Sequence, residues 1–203
     1  MDGGLHLLKC ILPDNLKLNM EIAQLVKEAK QGSAPAQKCL FDLLSGKMLL
    51  VCRRYLKSNE DAEEALLDGF YKFFKNIGSF HYQGDAALYS WIKKIMVNEC
   101  LMTLRKKNVF SIVTEADAED YPLEATALNN LSAKEIFDLI LQLPVGYRTV
   151  FNLYEIEGLE HKKIAEMLGI AEGTSKSQLS KAKILLQKNL EQNGTEYFKR
   201  KLR

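Results

Sequence analysis

Residues 161–187, HKKIAEMLGIAEGTSKSQLSKAKILLQ, decide the fold of the second half of the chain. Ile164, Ala165 and Leu168 recur at helical spacing, so one face of a short helix is apolar. Gly169 follows, a residue that readily takes the left-handed conformation ending a helix. Ile170 plugs the turn, and a second helix starts within residues 171–174. Small Ala165 lets the two helices cross closely, as a helix-turn-helix requires. In the second helix Ser175, Leu179, Ala182 and Leu186 form the apolar face. Lys176, Ser177, Ser180, Lys181 and Lys183 fall largely opposite, and no acid lies between Thr174 and Asn189. Serine and lysine are donors suited to base edges and phosphates in a major groove. An ordinary amphipathic hairpin shows the same apolar face; the acid-free second helix favours DNA.

Outward from this motif the pattern stays helical. The 203 residues include only four prolines, which disfavours a turn-rich β architecture. Ile22, Leu25, Val26 and Ala29 mark a first helix over residues 21–29, and Gly32-Ser33 interrupts it. Residues 34–56 follow, with Leu40, Leu43, Leu44 and Val51 as expected core. Ser58-Asn59 reads as a turn and cap, residues 61–77 as a third helix, 78–85 as a loop and 86–107 as a long fourth helix. Residues 111–128 are acidic and lack apolar periodicity. Helical patterning resumes near residue 132, stops at Pro144, and returns over 147–156, 162–168 and 174–192.

The expected fold class is therefore all-α: two small helical domains joined by a flexible acidic linker, the second a helix-turn-helix. The boundaries are an N-terminal extension at 1–20, a first domain at 21–110, a linker at 111–131, a second domain at 132–192 and a basic tail at 193–203. Met20 opens the cleaner helical pattern and is a candidate alternative start.

The net charge is only +2, but its distribution is uneven. Glu60, Asp61, Glu63, Glu64 and Asp68 make one acidic patch; Glu115, Asp117, Glu119, Asp120 and Glu124 make another. Lys93, Lys94, Arg105, Lys106 and Lys107 form one basic segment, and Lys176, Lys181, Lys183 and Lys188 a second. Lys199, Arg200, Lys201 and Arg203 lie at the end of the sequence. Two basic faces imply two contacts with a polyanion, where solvated helix faces are the plainer explanation of any single run. Cys10, Cys39, Cys52 and Cys100, like His6, His81 and His161, are dispersed, with neither zinc spacing nor a disulfide framework; no metal and no cofactor are implied. The apolar run at 5–12 contains Lys9 and is too short for a membrane span, so a cytoplasmic protein is expected.

Residues 143–183, LPVGYRTVFNLYEIEGLEHKKIAEMLGIAEGTSKSQLSKAK, resemble the region-four helix-turn-helix of bacterial sigma factors. The Leu-Pro opening, the aromatic-rich helix, the Glu-Gly turn and the Gly173-Thr174 start are in register. Residues 79–100, SFHYQGDAALYSWIKKIMVNEC, resemble the promoter-melting segment of the same family, through Gly84-Asp85, Trp91, Lys93-Lys94 and Asn98. Residues 61–74, DAEEALLDGFYKFF, resemble the helix that grips the clamp coiled coil of the polymerase. Leu67 stands where glutamine is common, Gly69 where a larger residue is usual, and Gln178 where many members carry arginine. The likeness covers about residues 21–189 apart from the linker, and points to the small extracytoplasmic-function (ECF) class.

The resemblance implies a transcription initiation factor that carries core RNA polymerase to promoters and helps to melt them. Its implied partners are the polymerase (clamp coiled coil and flap), promoter DNA and, as an optional regulator, an anti-sigma factor. Polymerase binding falls on Asp61, Glu64, Asp68, Phe70 and Phe74. Minus-ten DNA falls to Phe80, Tyr82, Asp85, Trp91, Lys94, Asn98, Arg105 and Lys106, and minus-thirty-five DNA to Thr174, Lys176, Ser177, Ser180, Lys181 and Lys183. Several of these have simpler roles open to them. Trp91 sits among Leu88, Ile92 and Ile95 as a core residue would, Phe70 and Phe74 can pack the domain, Asn98 can bond within its helix, and Asp61 can be a helix N-terminal charge. The competing functions are a stand-alone regulator binding duplex DNA, a helical adaptor for proteins, and an enzyme. The last finds no clustered catalytic constellation in the sequence.

Overall fold

The structure is a computed structural model that describes residues 14–107 and 133–201. The expected linker at 111–131 and the first thirteen residues lie outside the described residues. Every regular element described is helical: α1 Asp14–Lys30, α2 Ala34–Tyr55, α3 Asn59–Asn76, a 3-10 turn Ile77–Ser79, α4 Asp85–Lys106, α5 Ala133–Gln142, α6 Val145–Phe151 running into a π-helical turn Asn152–Ile156, α7 His161–Leu168 and α8 Glu172–Lys201. They fall into two compact units, residues 14–52 with 62–99 and residues 53–61 with 100–107 and 133–201.

Helix boundaries follow local chemistry. α1 ends in a reciprocal cap at Gly32, whose φ of +85° is left-handed: Gly32 N–H donates to Ala29 O and Ser33 N–H to Glu28 O. Ser33 Oγ then accepts from Ala36 N–H as α2 begins. Ser58 caps α3, accepting from Asp61 N–H at 3.1 Å and donating to Glu60 at 2.8 Å. α1 starts at Asp14 instead of residue 21, directly after Pro13, with an acid on its first turn. α8 runs to Lys201, so the segment set apart as a tail continues the helix. Gly194 within it costs such a helix only about 1 kcal/mol, too little to break it.

In the first unit Val26, Leu40, Met48, Phe73, Leu88, Ile92 and Met96 are buried. At Gly69 α3 closely approaches α4: a Cβ there would sit 2.3 Å from Met96 Sδ. Beside this contact Lys72 Nζ donates to both carboxylate oxygens of the buried Glu99, at 2.8 and 2.6 Å. Leu43, an expected core residue, is instead 40% exposed, because α2 turns its Leu40–Leu44 row inward and leaves Leu43 one step around the helix.

In the second unit Leu139, Ile140, Leu143, Ala182, Leu186 and Leu190 form one core cluster, with Ile136, Tyr147, Phe151 and Leu185 packed against it. Arg148 is buried and donates to Leu141 O at 3.2 Å and Leu143 O at 3.0 Å, satisfying carbonyls around the end of α5. Burial lowers the proton affinity of its guanidinium. α7 ends at Gly169, left-handed at φ +68°, whose N–H donates to Ala165 O.

Candidate nucleic-acid and polymerase interfaces

α3 presents its acids outward. Glu64 and Asp68 are exposed, each three residues before Leu67 and Tyr71 respectively, which are 59% and 68% exposed. Leu67 and Tyr71 escaped the sequence reading, although large apolar groups in water on an acidic helix are the usual mark of a partner surface. The signal that could have found them is their phase: at 64, 67, 68 and 71 they share one stripe, opposite Ala62, Ala65, Leu66, Gly69, Phe70 and Phe73. Phe70 is corrected to a core residue. It is 3% exposed, 4.6 Å from Phe41 and 6.1 Å from Phe73 between ring centroids, so it has no surface to offer. Phe74 is half-buried against Phe70 and Phe73. Asp61, nearer the cap, pairs with Lys107.

The loop before α4 brings four expected residues together. Phe80 lies parallel to Trp91, centroids 4.7 Å apart and planes 7° from parallel, and meets Tyr82 edge-on at 6.5 Å. Trp91 also touches Phe73 at 5.1 Å, so it joins the loop to the core. Tyr82 Oη donates to the Asp85 carboxylate on the first turn of α4. Partial burial, with that bond and the carboxylate charge, pushes the phenol up to about 12. Lys30 Nζ donates to Phe80 O from the end of α1, and Gly84 allows the bend with φ +106°. Along α4, Lys94 and Asn98 are exposed, as are Arg105 and Lys106. The spacings 94, 98 and 105 place three of these on one stripe of the helix. The arrangement is an aromatic cluster beside a polar, cationic helix face.

The second unit holds the helix-turn-helix. Ile164 and Leu168 of α7 are buried, as are Ser175, Leu179, Ala182 and Leu186 of α8. Lys176 is exposed and pairs with Glu172 at 2.8 Å, holding that carboxyl below its ordinary range. Ser177 Oγ donates to Thr174 O, and Thr174, Ser177 and Lys181 are half-buried on one stripe. Lys183 pairs with Glu155 of the π-helical turn at 3.0 Å. Ser180 is corrected: at 6% exposed it is covered in spite of its phase, and it has no surface to offer a base. Gln178 is fully buried on a different side of α8, where Gly146 is small enough to let it in; a Cβ at Gly146 would lie 3.2 Å from Gln178 Oε1.

Among the described residues no helix is long and apolar enough to cross a membrane, and no group of three His, Cys, Asp or Glu gathers for a metal ion.

A helical unit with an aromatic loop beside a cationic helix face, and a second unit built as a helix-turn-helix, define a class of DNA-engaging proteins. Comparison with known proteins narrows the class. Residues 40–109 match the Sigma-70 region 2 family and residues 133–186 the Sigma-70, region 4 family. The ECF RNA polymerase sigma factor SigM of Mycobacterium tuberculosis is 33% identical over 130 residues, 64% of each chain. The ECF RNA polymerase sigma-E factor of Haemophilus influenzae is 29% identical over 181 residues, 82% of this chain and 94% of that one. Among solved structures, the sigma factor RpoE of Bartonella quintana in complex with the anti-sigma factor NepR is 22% identical over 76% of this chain and 96% of that one, with a TM-score of 0.45. With both of these regions matched, the chain belongs to the Sigma-70 family, and it spans 64% of the length of the SigM relative it matches.

Proposed function

We propose that this chain binds core RNA polymerase in the cytoplasm, carries it to promoters and helps to open them. The exposed stripe Glu64, Leu67, Asp68 and Tyr71 of α3 meets the polymerase. Thr174, Lys176, Ser177 and Lys181 of α8 meet the upstream promoter element as duplex. Phe80, Tyr82 and the Lys94–Asn98 face of α4 hold a strand as it leaves the duplex.

One observation carries this reading beyond a stand-alone regulator: the aromatic loop laid on α4 beside exposed Lys94 and Asn98. A protein that only grips duplex DNA has no use for base-stacking rings there. Stacking one base on an aromatic contributes about 1–3 kcal/mol, comparable with the few kcal/mol needed to unstack it. Captured bases therefore hold a nascent bubble without nucleotide hydrolysis. Catalysis of RNA synthesis stays with the polymerase. The test is a pull-down of core RNA polymerase with the full chain, then transcription from a promoter library. Retention with start sites sharing upstream and downstream elements supports the proposal. Duplex binding with no polymerase retained supports the regulator instead.

A further inference from the structure

Tyr154, His161 and Ser175 form a chain of contacts across the helix-turn-helix. His161 opens α7 and its ring lies on Tyr154 of the π-helical turn, centroids 4.4 Å apart and planes 20° from parallel. Its Nδ1 is 2.9 Å from Ser175 Oγ. Ser175 is fully buried in the first turn of α8, directly before Lys176 and Ser177. The charged groups acting on the imidazole are Lys176, Glu172 and Lys183, all on α8. Partial burial, then Lys176, lowers its proton affinity, so the ring is held neutral with one donor and one acceptor nitrogen. A serine hydroxyl is likewise donor and acceptor, so the pair is satisfied whichever of them gives the proton.

The geometry matters because α8 enters the groove by its first turns. Ser175 is the polar group on the buried side of that start, and the imidazole is its partner across the motif. Tyr154 in turn limits how the imidazole can swing. We propose that His161 is a positioning residue, which fixes the start of α8 through Ser175 and so sets how Ser177 and Lys181 meet base edges. This rests on the reading of α8 as the promoter-reading helix.

The test uses full-length variants in holoenzyme. A duplex promoter library randomised over the upstream element is selected with the wild type; the winning sequence and its single-base variants then serve as probes. His161→Phe keeps a ring on Tyr154 and loses the hydrogen bond, and Ser175→Ala loses it from the other side. Each lowers discrimination between winner and single-base variants by about three- to tenfold, the range of one hydrogen bond. Core polymerase affinity stays at the wild-type value, and the loss of discrimination does not scale with any fall in the thermal midpoint. His161→Asn, whose amide reaches about where Nδ1 sits, restores discrimination. The proposal is overturned by wild-type discrimination in both lesions, by failure of the asparagine to rescue, or by losses that follow the thermal midpoint. Lys181→Ala separates this from the reading beneath it. If that variant also discriminates as wild type, α8 is not the reader; if it fails while the other two do not, only the role of His161 falls.

Discussion

Phe80 and Trp91 lie face to face, 4.7 Å between centroids and 7° from parallel, so the loop before α4 is laid on the helix and not left loose in water. Such a pair contributes about 0.5–1.5 kcal/mol beyond the area it buries. Trp91 is the sole tryptophan of the chain, which makes the contact measurable. Phe80→Ala shifts Trp91 emission to the red while helical circular dichroism is unchanged. Unshifted emission would mean the two rings do not meet in solution.

On α3, the exposed residues and the buried ones predict different failures. Leu67→Asp or Tyr71→Asp weakens core polymerase binding by about 10- to 100-fold, the scale of a central interface residue. Glu64→Lys with Asp68→Lys weakens it chiefly through association rate and becomes milder at high salt. Phe70→Ala instead lowers folding stability by about 3–5 kcal/mol. A titration against core polymerase and a denaturant melt of each variant distinguish the two groups. Wild-type affinity in Tyr71→Asp would remove this stripe from the interface.

For the upstream contact, Lys176→Ala and Lys181→Ala each weaken holoenzyme binding to upstream duplex and flatten the salt dependence by about one ion. Ser180→Ala, at a buried position, leaves that slope unchanged. Equal slopes for all three variants and the wild type would show that the phosphates are held elsewhere.

Periodicity made the helices legible, because a buried stripe must recur every three or four residues. Ile22, Val26 and Ala29 are buried as their spacing requires, and so are Ile164 with Leu168 and the Ser175–Leu179–Ala182–Leu186 face. Gly169 ends α7 as its lack of a Cβ allows. The misses have one physical source: a sequence shows a residue's chemistry but not its exact phase against a neighbouring helix. Ser180 looks like a groove-facing donor, yet it is covered; Gln178 stands where many family members carry arginine, yet the approach of α8 to Gly146 takes it into the core. Phe70 looks like an aromatic anchor, yet it shares the phase of Gly69 and Phe73. Leu67 and Tyr71, large apolar groups that the sequence reading left unassigned, stand in water. Arg148 looks like surface and is spent on carbonyls that only the folded turn after α5 brings within its reach.

His161 gives a pH dependence with a definite sign. Its folded-state proton affinity lies below the ordinary 6.5 because burial and Lys176 disfavour the charged ring. The unfolded chain therefore takes up a proton more readily than the folded one. The stability this contributes is present above 6.5 and is lost as pH falls through the lower folded value. Denaturant midpoints from pH 8 to pH 5 should fall more for the wild type than for His161→Phe. Parallel curves would show that the ring titrates as it does in the unfolded chain.

The remaining prediction separates binding from opening. Tyr82 is held by Asp85 at the loop, and Asn98 stands exposed further along α4. Under the proposed function both meet their partner only after a base leaves the stack. Tyr82→Ala and Asn98→Ala should then bind core polymerase and footprint the upstream element as the wild type does. They should open a fully duplex promoter about 10-fold more poorly, since one lost base contact removes about 1–3 kcal/mol. Permanganate reactivity of unpaired thymines reads this directly. A second promoter with the same upstream DNA carries a premelted bubble that keeps the non-template sequence. There the cost of unpairing is already met, so the defect shrinks, but it does not vanish because the base contact is still missing. Any loss that comes from misfolding would be the same on both templates and would appear first in polymerase binding. Wild-type opening of duplex by both variants would make the loop a structural strap alone and move melting to other residues.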